Sequence, residues 1–401
     1  MYLSNSSKGR FLLIFTLVLV GSVLLASCGP VRNIIAQATP TATLIPTPTP
    51  IVTPTLIPTP TSPPLPPAPT LGVEGDPQTT YPGIPWVRIG YPTCGNGNLS
   101  GSLLKSTILH YHDQGIRVLL TICQQSTGPS LFDPAPLNDV AQGGADAVQC
   151  GNEEMKYDPP YTRYIAPADF ARYFDLCEHA MHAVRPNIPV LLGSLDPHVG
   201  GIDYGPLASQ VDYLNAMQYA MNTEVHPGGN WNWRTQTLGL IDSWHNGYPS
   251  TNTNSLYWLF VFWAQQFNVD LNSGALGKHI WVVEGTGCYK GCGIDPTNPY
   301  QVAVSHILTL ITDVQTTLTY KVPFFYFSGK DIPSSDGVAP FGIDDINGHP
   351  KPLRQDLPMG ARSLTMSCSK GQDTIVNQEQ LLADLYRNCT LPGNYFDILV
   401  S

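Results

Sequence analysis

After residue 70 the chain alternates short runs of β-branched and aromatic residues with longer stretches in which apolar residues recur at helical spacing. The short runs predict eight strands: Leu71 to Glu74, Trp86 to Gly90, Ile116 to Cys123, Ala145 to Asn152, Ile188 to Ser194, Thr237 to Ser243, His279 to Glu284 and Val322 to Phe327. The periodic stretches predict five helices: Leu103 to Gln114, Pro167 to Val184, Leu207 to Met221, Asn254 to Phe267 and Tyr300 to Leu318. Such alternation indicates a parallel sheet covered by helices.

Eight strand-helix units favour a closed (β/α)8 TIM barrel of the α/β class over an open sheet. Several strands are almost continuously apolar, which is typical of burial on both faces. Two connections fit less well. Residues 75–85 are too short for a full helix, and for residues 131–144 we expect at most one or two helical turns.

The amino terminus reads as a targeting segment. Lys8 and Arg10 precede an apolar run from Phe11 to Ala26, and the sequence Leu25-Ala26-Ser27-Cys28 that ends the segment resembles the bacterial lipobox. The resemblance implies a lipoprotein signal peptide over residues 1–28, with Cys28 lipidated. An uncleaved signal anchor, or an ordinary cleavage site beside an incidental cysteine, remain as alternatives.

Residues 29–70 are predicted to be a disordered stalk. Between positions 39 and 70 there are 12 prolines and 10 threonines, and no charge occurs between Arg32 and Glu74. Such a tract cannot bury a core and favours extended polyproline II conformation. We therefore place one domain, the barrel, in residues 71–401.

Charge and cysteine content narrow the function further. The formal net charge is -10, and only 12% of residues are charged, so nucleic acid is not an expected partner. Eight cysteines follow Cys28, which suits disulfides in an exported protein. Cys288 with Cys292 and Cys368 with Cys389 are the pairs that we expect. The chain shows no pattern that calls for a metal or another cofactor.

Carboxylates follow two of the predicted strands. Glu153 and Glu154 come at the end of the fourth strand, and Glu284 ends the seventh. Since active sites of TIM barrels lie at the carboxyl-terminal strand ends, these groups are expected to face one cleft. Two carboxylates across a cleft are what a glycosidase needs, one as acid and one as nucleophile or base.

The residues around these carboxylates resemble glycoside hydrolase clan A, the retaining TIM-barrel glycosidases. Asn152-Glu153 is similar to the acid/base position of that clan, Glu284 to its nucleophile, and Arg88 to its strand-two arginine. The resemblance implies that Arg88 supports Glu284 and that Asn152 binds the sugar. A shift of one residue, which would make Glu154 the acid/base, stays open.

Weaker parts of the resemblance lie in the second half of the chain. Trp244, His245 and Tyr248 after the sixth strand, and Tyr326 in the eighth, are candidate sugar contacts. The stretch from Phe341 to Pro352 resembles the closing segment of family 39 and related barrels.

Two functional hypotheses follow. The first is a retaining glycosidase, anchored by lipid to the extracellular face of a bacterial membrane, that acts on a polysaccharide or glycoside as a monomer. The second is a barrel that binds carbohydrate at the cell surface without turnover. A metal-dependent hydrolase of another kind is a third alternative, and inhibition by chelators would reveal it.

Overall fold

The computed structural model describes the chain in segments that begin at the first predicted strand. These segments are residues 71–77, 79–95, 97–124, 134–156, 164–195, 204–242, 255–285, 313–314, 316–334, 337–339, 342–351, 354, 364–368 and 371–375. The predicted signal peptide, Cys28 and the stalk lie outside them, as do the side chains of the two cysteine pairs that we expected.

Eight parallel strands form a closed barrel in chain order, which confirms the predicted (β/α)8 fold. They are β1 (Leu71–Glu74), β2 (Trp86–Gly90), β3 (Arg117–Ile122), β4 (Ala147–Cys150), β5 (Val190–Leu195), β6 (Thr237–Asp242), β7 (Ile280–Gly285) and β8 (Phe324–Tyr326). All eight coincide with the predicted runs, and the ends differ by three residues or fewer. The barrel closes where β1 pairs with β8, Leu71 opposite Phe324.

Within the described residues, five helices with defined bounds connect these strands: α1 (Gly101–Asp113), α2 (Pro134–Gly143), α3 (Pro167–Val184), α4 (Tyr204–Ala220) and α5 (Ser255–Phe267). Helix α3 has the predicted bounds, and α1, α4 and α5 match within three residues at each end. Of the predicted helix from Tyr300 to Leu318, only residues 313–314 and 316–318 are described, and they are helical.

The expectation of at most one or two turns in residues 131–144 is wrong, because α2 spans ten residues, Pro134–Gly143. Its prolines lie in the first turn, where a missing N–H costs no helical hydrogen bond. Leu137, Val140 and Ala141 recur at helical spacing and are buried. Burial of the apolar face of α2 therefore stabilises a helix here, although the composition of the segment is typical of a loop.

Large aromatic rings fill the interior of the barrel. Trp86 and Trp281 meet edge to face with ring centroids 5.8 Å apart, and Trp281 stacks on Phe325 at 6.2 Å. Gly72 on β1 makes room for them, since a Cβ there would lie 2.5 Å from a ring carbon of Phe325. The buried residues of this inner cluster are Trp86, Leu119, Ala147, Leu191, Trp281, Val283 and Phe325.

Two disulfides tie strand ends to neighbouring segments. Cys94 pairs with Cys123 just beyond the end of β3, and Cys150 at the end of β4 pairs with Cys177 of α3. Sequence analysis paired none of these four cysteines.

Two antiparallel hairpins follow the barrel strands: β9 (Ile332–Ser334) with β10 (Gly337–Ala339), and β11 (Leu364–Cys368) with β12 (Gly371–Ile375). Sequence analysis predicted neither. Among the helices of the described segments, none combines the length and apolar character needed to cross a bilayer.

Candidate active site

A layer of polar side chains lies directly above the aromatic interior, at the carboxyl-terminal ends of the strands. Alternation along β2 places Arg88 on the same inner side as Trp86, and alternation along β1 places Glu74 above Gly72. The members of this polar layer are Glu74, Arg88, Thr121, Gln149, Asn152, Glu153, Ser194 and Glu284.

Arg88 is the centre of this layer. Its side chain is 3% exposed, and Nη1 donates to Oε1 of Glu284 at 2.9 Å and to Oε2 of Glu74 at 2.6 Å. Burial alone lowers the pKa of Arg88, but the charges of Glu74, Glu284 and Glu153 outweigh it, so the pKa lies above its ordinary value. Arg88 therefore stays charged beside the carboxylate of Glu284.

The other donors of Arg88 fix its orientation. Nη2 donates to Oδ1 of Asn152 at 2.7 Å, while Nε donates to Oγ1 of Thr121 at 3.0 Å and to Oε1 of Gln149 at 3.2 Å. Each of the three guanidinium nitrogens thus has an acceptor, and four strands contribute to holding one cation in place. Such a group cannot turn to follow a ligand without breaking several hydrogen bonds.

Asn152 is held by its side-chain oxygen and by its backbone. Oδ1 accepts from Arg88, from Nε2 of Gln149 at 3.1 Å and from Oγ of Ser194 at 2.6 Å. Gln124 bonds both the N–H and the carbonyl of Asn152 at 2.9 Å. Three donors on one oxygen settle which way the amide points. Within the described segments Nδ2 donates to no acceptor, so it is available to a ligand.

Glu284 stands at an irregularity in β7. Leu240 pairs with Val282 while the next residue, Ile241, pairs with Glu284, so β7 carries one extra residue at this point. Bulges of this kind re-aim side chains near the ends of strands. Here Glu284 is 5% exposed and meets Arg88 across the barrel.

Glu153 lies in the turn that leaves β4. Its φ is 51°, in the left-handed region, and its N–H donates to the carbonyl oxygen of Ser194 at 3.0 Å. Its Oε1 forms an ion pair with Nζ of Lys156 at 2.9 Å, and both side chains are buried. The charge of Glu153 also acts on Arg88 and Glu74, so this carboxylate belongs to the same electrostatic cluster.

Glu154 points elsewhere. It is fully buried, and its Oε2 accepts from the N–H of Ser194 on β5 at 3.2 Å. A Cβ on Gly193 would collide with its carboxylate. Burial first, and then the charge of Glu154, raise the pKa of Tyr173 and Tyr213 on α3 and α4. Glu154 therefore lies between the sheet and the helices, whereas Glu153 acts on Arg88.

Sequence analysis did not single out Glu74, although Glu74 ends a predicted strand as Glu284 does. Its side chain is 31% exposed, against 7% for Glu284. Burial raises the pKa of Glu74 most; Arg88 lowers it, and the charges of Glu284 and Glu153 raise it again, so that it reaches about 7. A search for carboxylates at the carboxyl-terminal ends of all eight predicted strands would have found Glu74.

Tyr326 does not reach the cleft. It is fully buried in the layer between sheet and helices, together with Phe324, while Phe325 points into the barrel. By alternation the next inward aromatic is Phe327, which is partly exposed and donates its N–H to the carbonyl of Gly285 at 2.8 Å. Because residues 324–327 are all aromatic, the sequence did not indicate which of them point into the barrel.

Trp244, His245 and Tyr248, the other candidate sugar contacts, lie outside the described residues.

Part of the closing segment braces the loop after β8. Nζ of Lys351 lies 2.6 Å from Oδ1 of Asp331, and the N–H of Gly342 donates to the same oxygen at 2.9 Å. Gly329, in that loop, donates its N–H to the carbonyl of Glu74 at 2.6 Å. The segment thus supports the backbone beneath one carboxylate of the cleft.

No group of three or more His, Cys, Asp or Glu side chains in the described segments could hold a metal ion. The polar layer instead offers carboxylates, a fixed guanidinium and an amide donor, which is the chemistry of a site that binds hydroxyl groups and moves protons.

Comparison with known proteins places the fold. No family model and no curated protein matches the chain. Among solved structures, a variant of a GH5_18 protein from Streptomyces cattleya in complex with Manβ1-4GlcNAc is similar, with a TM-score of 0.50 at 12% identity over 74% of this chain and 80% of that one.

Two further structures are similar at lower scores. Fungal β-1,4-galactanases give a TM-score of 0.45 at 15% identity over 73% of this chain and 99% of theirs. A family 39 glycoside hydrolase from Bacteroides cellulosilyticus gives 0.43 at 12% identity over 73% of this chain and 63% of that one. The likeness to the GH5_18 structure, at 12% identity, shows a shared (β/α)8 barrel fold.

Proposed function

We propose that the protein is a retaining glycoside hydrolase with Glu284 as nucleophile and Glu153 as acid/base. The observation that carries the proposal is the position of Glu284 on the buried Arg88, in one hydrogen-bonded layer with Asn152 and Glu153. Glycosidases need two carboxylates with different surroundings, one ionised and one able to exchange a proton.

The roles follow from the surroundings of each group. In the first step the Glu284 carboxylate attacks the anomeric carbon while the bond to the glycosidic oxygen breaks, and Glu153 gives its proton to that oxygen. In the second step Glu153 takes a proton from water, and the water oxygen displaces Glu284 from the sugar. In this mechanism Nδ2 of Asn152 donates to a sugar hydroxyl during both steps.

One observation favours the alternative of a binding protein without turnover. Lys156 lies 2.9 Å from Oε1 of Glu153 and favours the carboxylate form, which cannot donate a proton. A carboxylate is the right form for the second step but not for the first. If the ion pair between Lys156 and Glu153 persists when substrate binds, the cleft would bind sugar and release it unchanged.

A panel of aryl β-glycosides separates these two functions and assigns the roles. Glu284→Gln should abolish turnover of every substrate. Glu153→Gln should spare the first step with glycosides that have good leaving groups, because these need little protonation, and added azide should take the place of activated water in the second step. Lys156→Met should raise the rate with poor leaving groups. Glu154→Gln is the matched control and should leave the pattern of substrates unchanged.

Stereochemistry tests the mechanism itself. A double displacement inverts the anomeric carbon twice, so the first sugar released should keep its anomeric configuration in an NMR time course. An inverted first product would refute the double displacement. Binding of oligosaccharides without release of any product would instead support the carbohydrate-binding alternative.

We also propose that the mature chain is anchored through a lipidated Cys28 at the extracellular face of the bacterial membrane, on the basis of the apolar segment that ends in Leu25-Ala26-Ser27-Cys28. Cys28→Ser should leave the protein unprocessed or release it from the membrane. Mass spectrometry of the mature protein should find acylated Cys28 as the first residue. A different, unmodified first residue would contradict the anchor.

A further inference from the structure

A cavity of about 440 Å³ lies at the amino-terminal end of the barrel, opposite the polar layer. Its volume is within the range of sites that hold small molecules. The connections that frame it, residues 113–117, 143–147 and 184–190, are described throughout. The lining comes from the first residues of β2 and β3 and from the turns before β4 and β5, and its main members are Trp86, Arg117, Asp146, Arg185, Ile188 and Pro189.

Backbone hydrogen bonds hold the walls of this cavity in place. The N–H of Arg117 donates to the carbonyl of Pro85 at 3.0 Å, and the N–H of Val148 donates to the carbonyl of Pro189 at 2.9 Å. Both bonds belong to the pairing of neighbouring barrel strands. The cavity is therefore preformed by the barrel itself.

Arg117 faces the axis of the barrel at this end. It lies two residues before Leu119, which belongs to the inner cluster, so alternation along β3 places both side chains on the inner side. The guanidinium carbon of Arg117 lies 5.7 Å from the centroid of the Trp86 ring. Within the described segments the Arg117 side chain forms no ion pair and donates to no acceptor. An arginine packed on an aromatic ring in this way still has its N–H donors for a ligand.

A second guanidinium lines the same cavity. Nη1 of Arg185 donates to the carbonyl of Ala145, and no carboxylate among the described residues pairs with Arg185. The carboxylate of the lining, Asp146, already accepts from the N–H of Val118 and bonds the ring of His112, both at 2.8 Å. Two permanently charged arginines therefore face one carboxylate that is engaged elsewhere. This local excess of positive charge stands against a chain with 20 basic and 30 acidic residues.

We propose that this cavity is a second binding site, which takes a small ligand that carries a carboxylate or a phosphate on an apolar body. The two guanidiniums complement an anion whose oxygens accept charge-assisted hydrogen bonds. Ile188 and Pro189 supply the apolar surface that such a ligand needs beside its charged group.

This site is distinct from the cleft that carries the proposed reaction. The inner cluster, with Trp86, Trp281 and Phe325 in mutual contact, lies between the cavity and the polar layer. Binding in the cavity therefore does not depend on turnover of a glycoside, and the proposal stands or fails separately from the proposed function.

Calorimetric titration of the full chain at constant ionic strength tests the proposal. The probes are benzoate, phenyl phosphate and benzamide, which share an apolar ring and differ in the charge of the attached group. At least one of the two anions should bind about tenfold or more tightly than the neutral benzamide, as expected for a hydrogen bond between charged groups. The order of benzoate and phenyl phosphate then tells which anion the cavity prefers.

Variants locate the binding. Arg117→Met should raise the Kd of the preferred anion about tenfold, and Arg117→Lys, which keeps the charge, should raise it less. Arg185→Gln, which keeps a donor for the carbonyl of Ala145, should also weaken binding. Arg234→Met is the matched control, because Arg234 packs on Trp233 at 4.1 Å before β6 but does not line the cavity. Its Kd should equal that of the wild type.

Thermal unfolding of each variant shows whether it is folded, so that a loss of binding is separated from a loss of structure. The proposal is overturned if neither anion binds the wild type or if benzamide binds as tightly as both anions. It is also overturned if Arg117→Met and Arg185→Gln keep the wild-type Kd, or if Arg234→Met weakens binding as much as they do.

Discussion

Asp242 and Asp313 form a buried acidic pair whose removal should stabilise the protein. Both side chains are fully buried, and among the described residues none of their four carboxylate oxygens has a hydrogen-bond partner. Asp242 ends β6 on the side of Leu238 and Leu240, which face the helices. Burial raises the pKa of Asp242 to about 7, and burial followed by the charge of Asp242 raises the pKa of Asp313 well above its ordinary value.

The sign of the pH dependence follows from these shifts. A carboxyl group with a pKa raised by folding binds its proton more tightly in the native state than in the unfolded state, so it costs nothing below pH 3.8. Stability is then lost as the pH rises through about 7. For Asp242 the interval from 3.8 to about 7 corresponds to about 4 kcal/mol of unfolding free energy.

Asp242→Asn removes one charge and places an amide where it can donate to Asp313. Part of the gain is offset by burying that amide, at about 1 to 3 kcal/mol if it finds no partner. We therefore expect about 2 kcal/mol of stabilisation at pH 8, which is a rise in Tm of roughly 4 °C, and little difference at pH 4.

Thermal unfolding of both proteins between pH 4 and pH 9 measures this effect. Asp146→Asn is the control, because Asp146 accepts from the N–H of Val118 and bonds His112, both at 2.8 Å, so that the same substitution should lower Tm. A Tm of Asp242→Asn that is lower than wild type at pH 8, or a difference that does not depend on pH, would refute the reasoning.

Three smaller perturbations test other parts of the structure. Gly72→Ala should lower stability to urea by about 1 to 3 kcal/mol, because the new methyl group would lie 2.5 Å from the ring of Phe325. Cys177→Ser, which opens the disulfide with Cys150 across 27 residues, should cost about 3 kcal/mol in the same assay. Gln124→Ala should reduce kcat/KM about 10- to 100-fold and lower stability by about 1 to 3 kcal/mol, because the buried N–H and carbonyl of Asn152 lose their partner. Equal stability of the first two variants and wild type, or unchanged kinetics of the third, would contradict these assignments.

The architecture could be predicted because local and global signals agree along most of the chain. Helix α3 begins with Pro167, carries a regular apolar face and ends at Val184, where the sequence predicted it. Helix α2 was missed because its prolines and glycines resemble a loop, and only packing shows that they occupy helix ends. The disulfide partners could not be read at all, since eight cysteines allow 105 connectivities and the choice depends on which strand ends meet.

The sequence pointed to Arg88, Glu153 and Glu284, but not to Glu74 and Lys156 or to the directions in which the side chains point. Strand order alone brings Glu284 and Glu153 to one end of the barrel. A shift of one residue along a strand, however, moves a side chain from the cleft to the layer between the sheet and the helices. Glu154 and Tyr326 both turned to the helix layer, beside residues that face the cleft. A run of similar residues gives no periodic signal, so the register has to come from pairing with neighbouring strands, as when Val73 of β1 pairs with Tyr326.

The aromatic interior also explains why so many charges can share one small site. Trp86, Trp281 and Phe325 pack against one another below Arg88 and keep that side of the polar layer apolar. In such surroundings each charge costs more to bury and each ion pair is worth more. Five acceptors consequently fix Arg88. Glu153, which accepts no hydrogen bond from Arg88, forms an ion pair with Lys156 instead. Burial raises the pKa of Glu74 most, and the charges of Glu284 and Glu153 add to it against the effect of Arg88, so this carboxylate of the polar layer reaches a pKa of about 7.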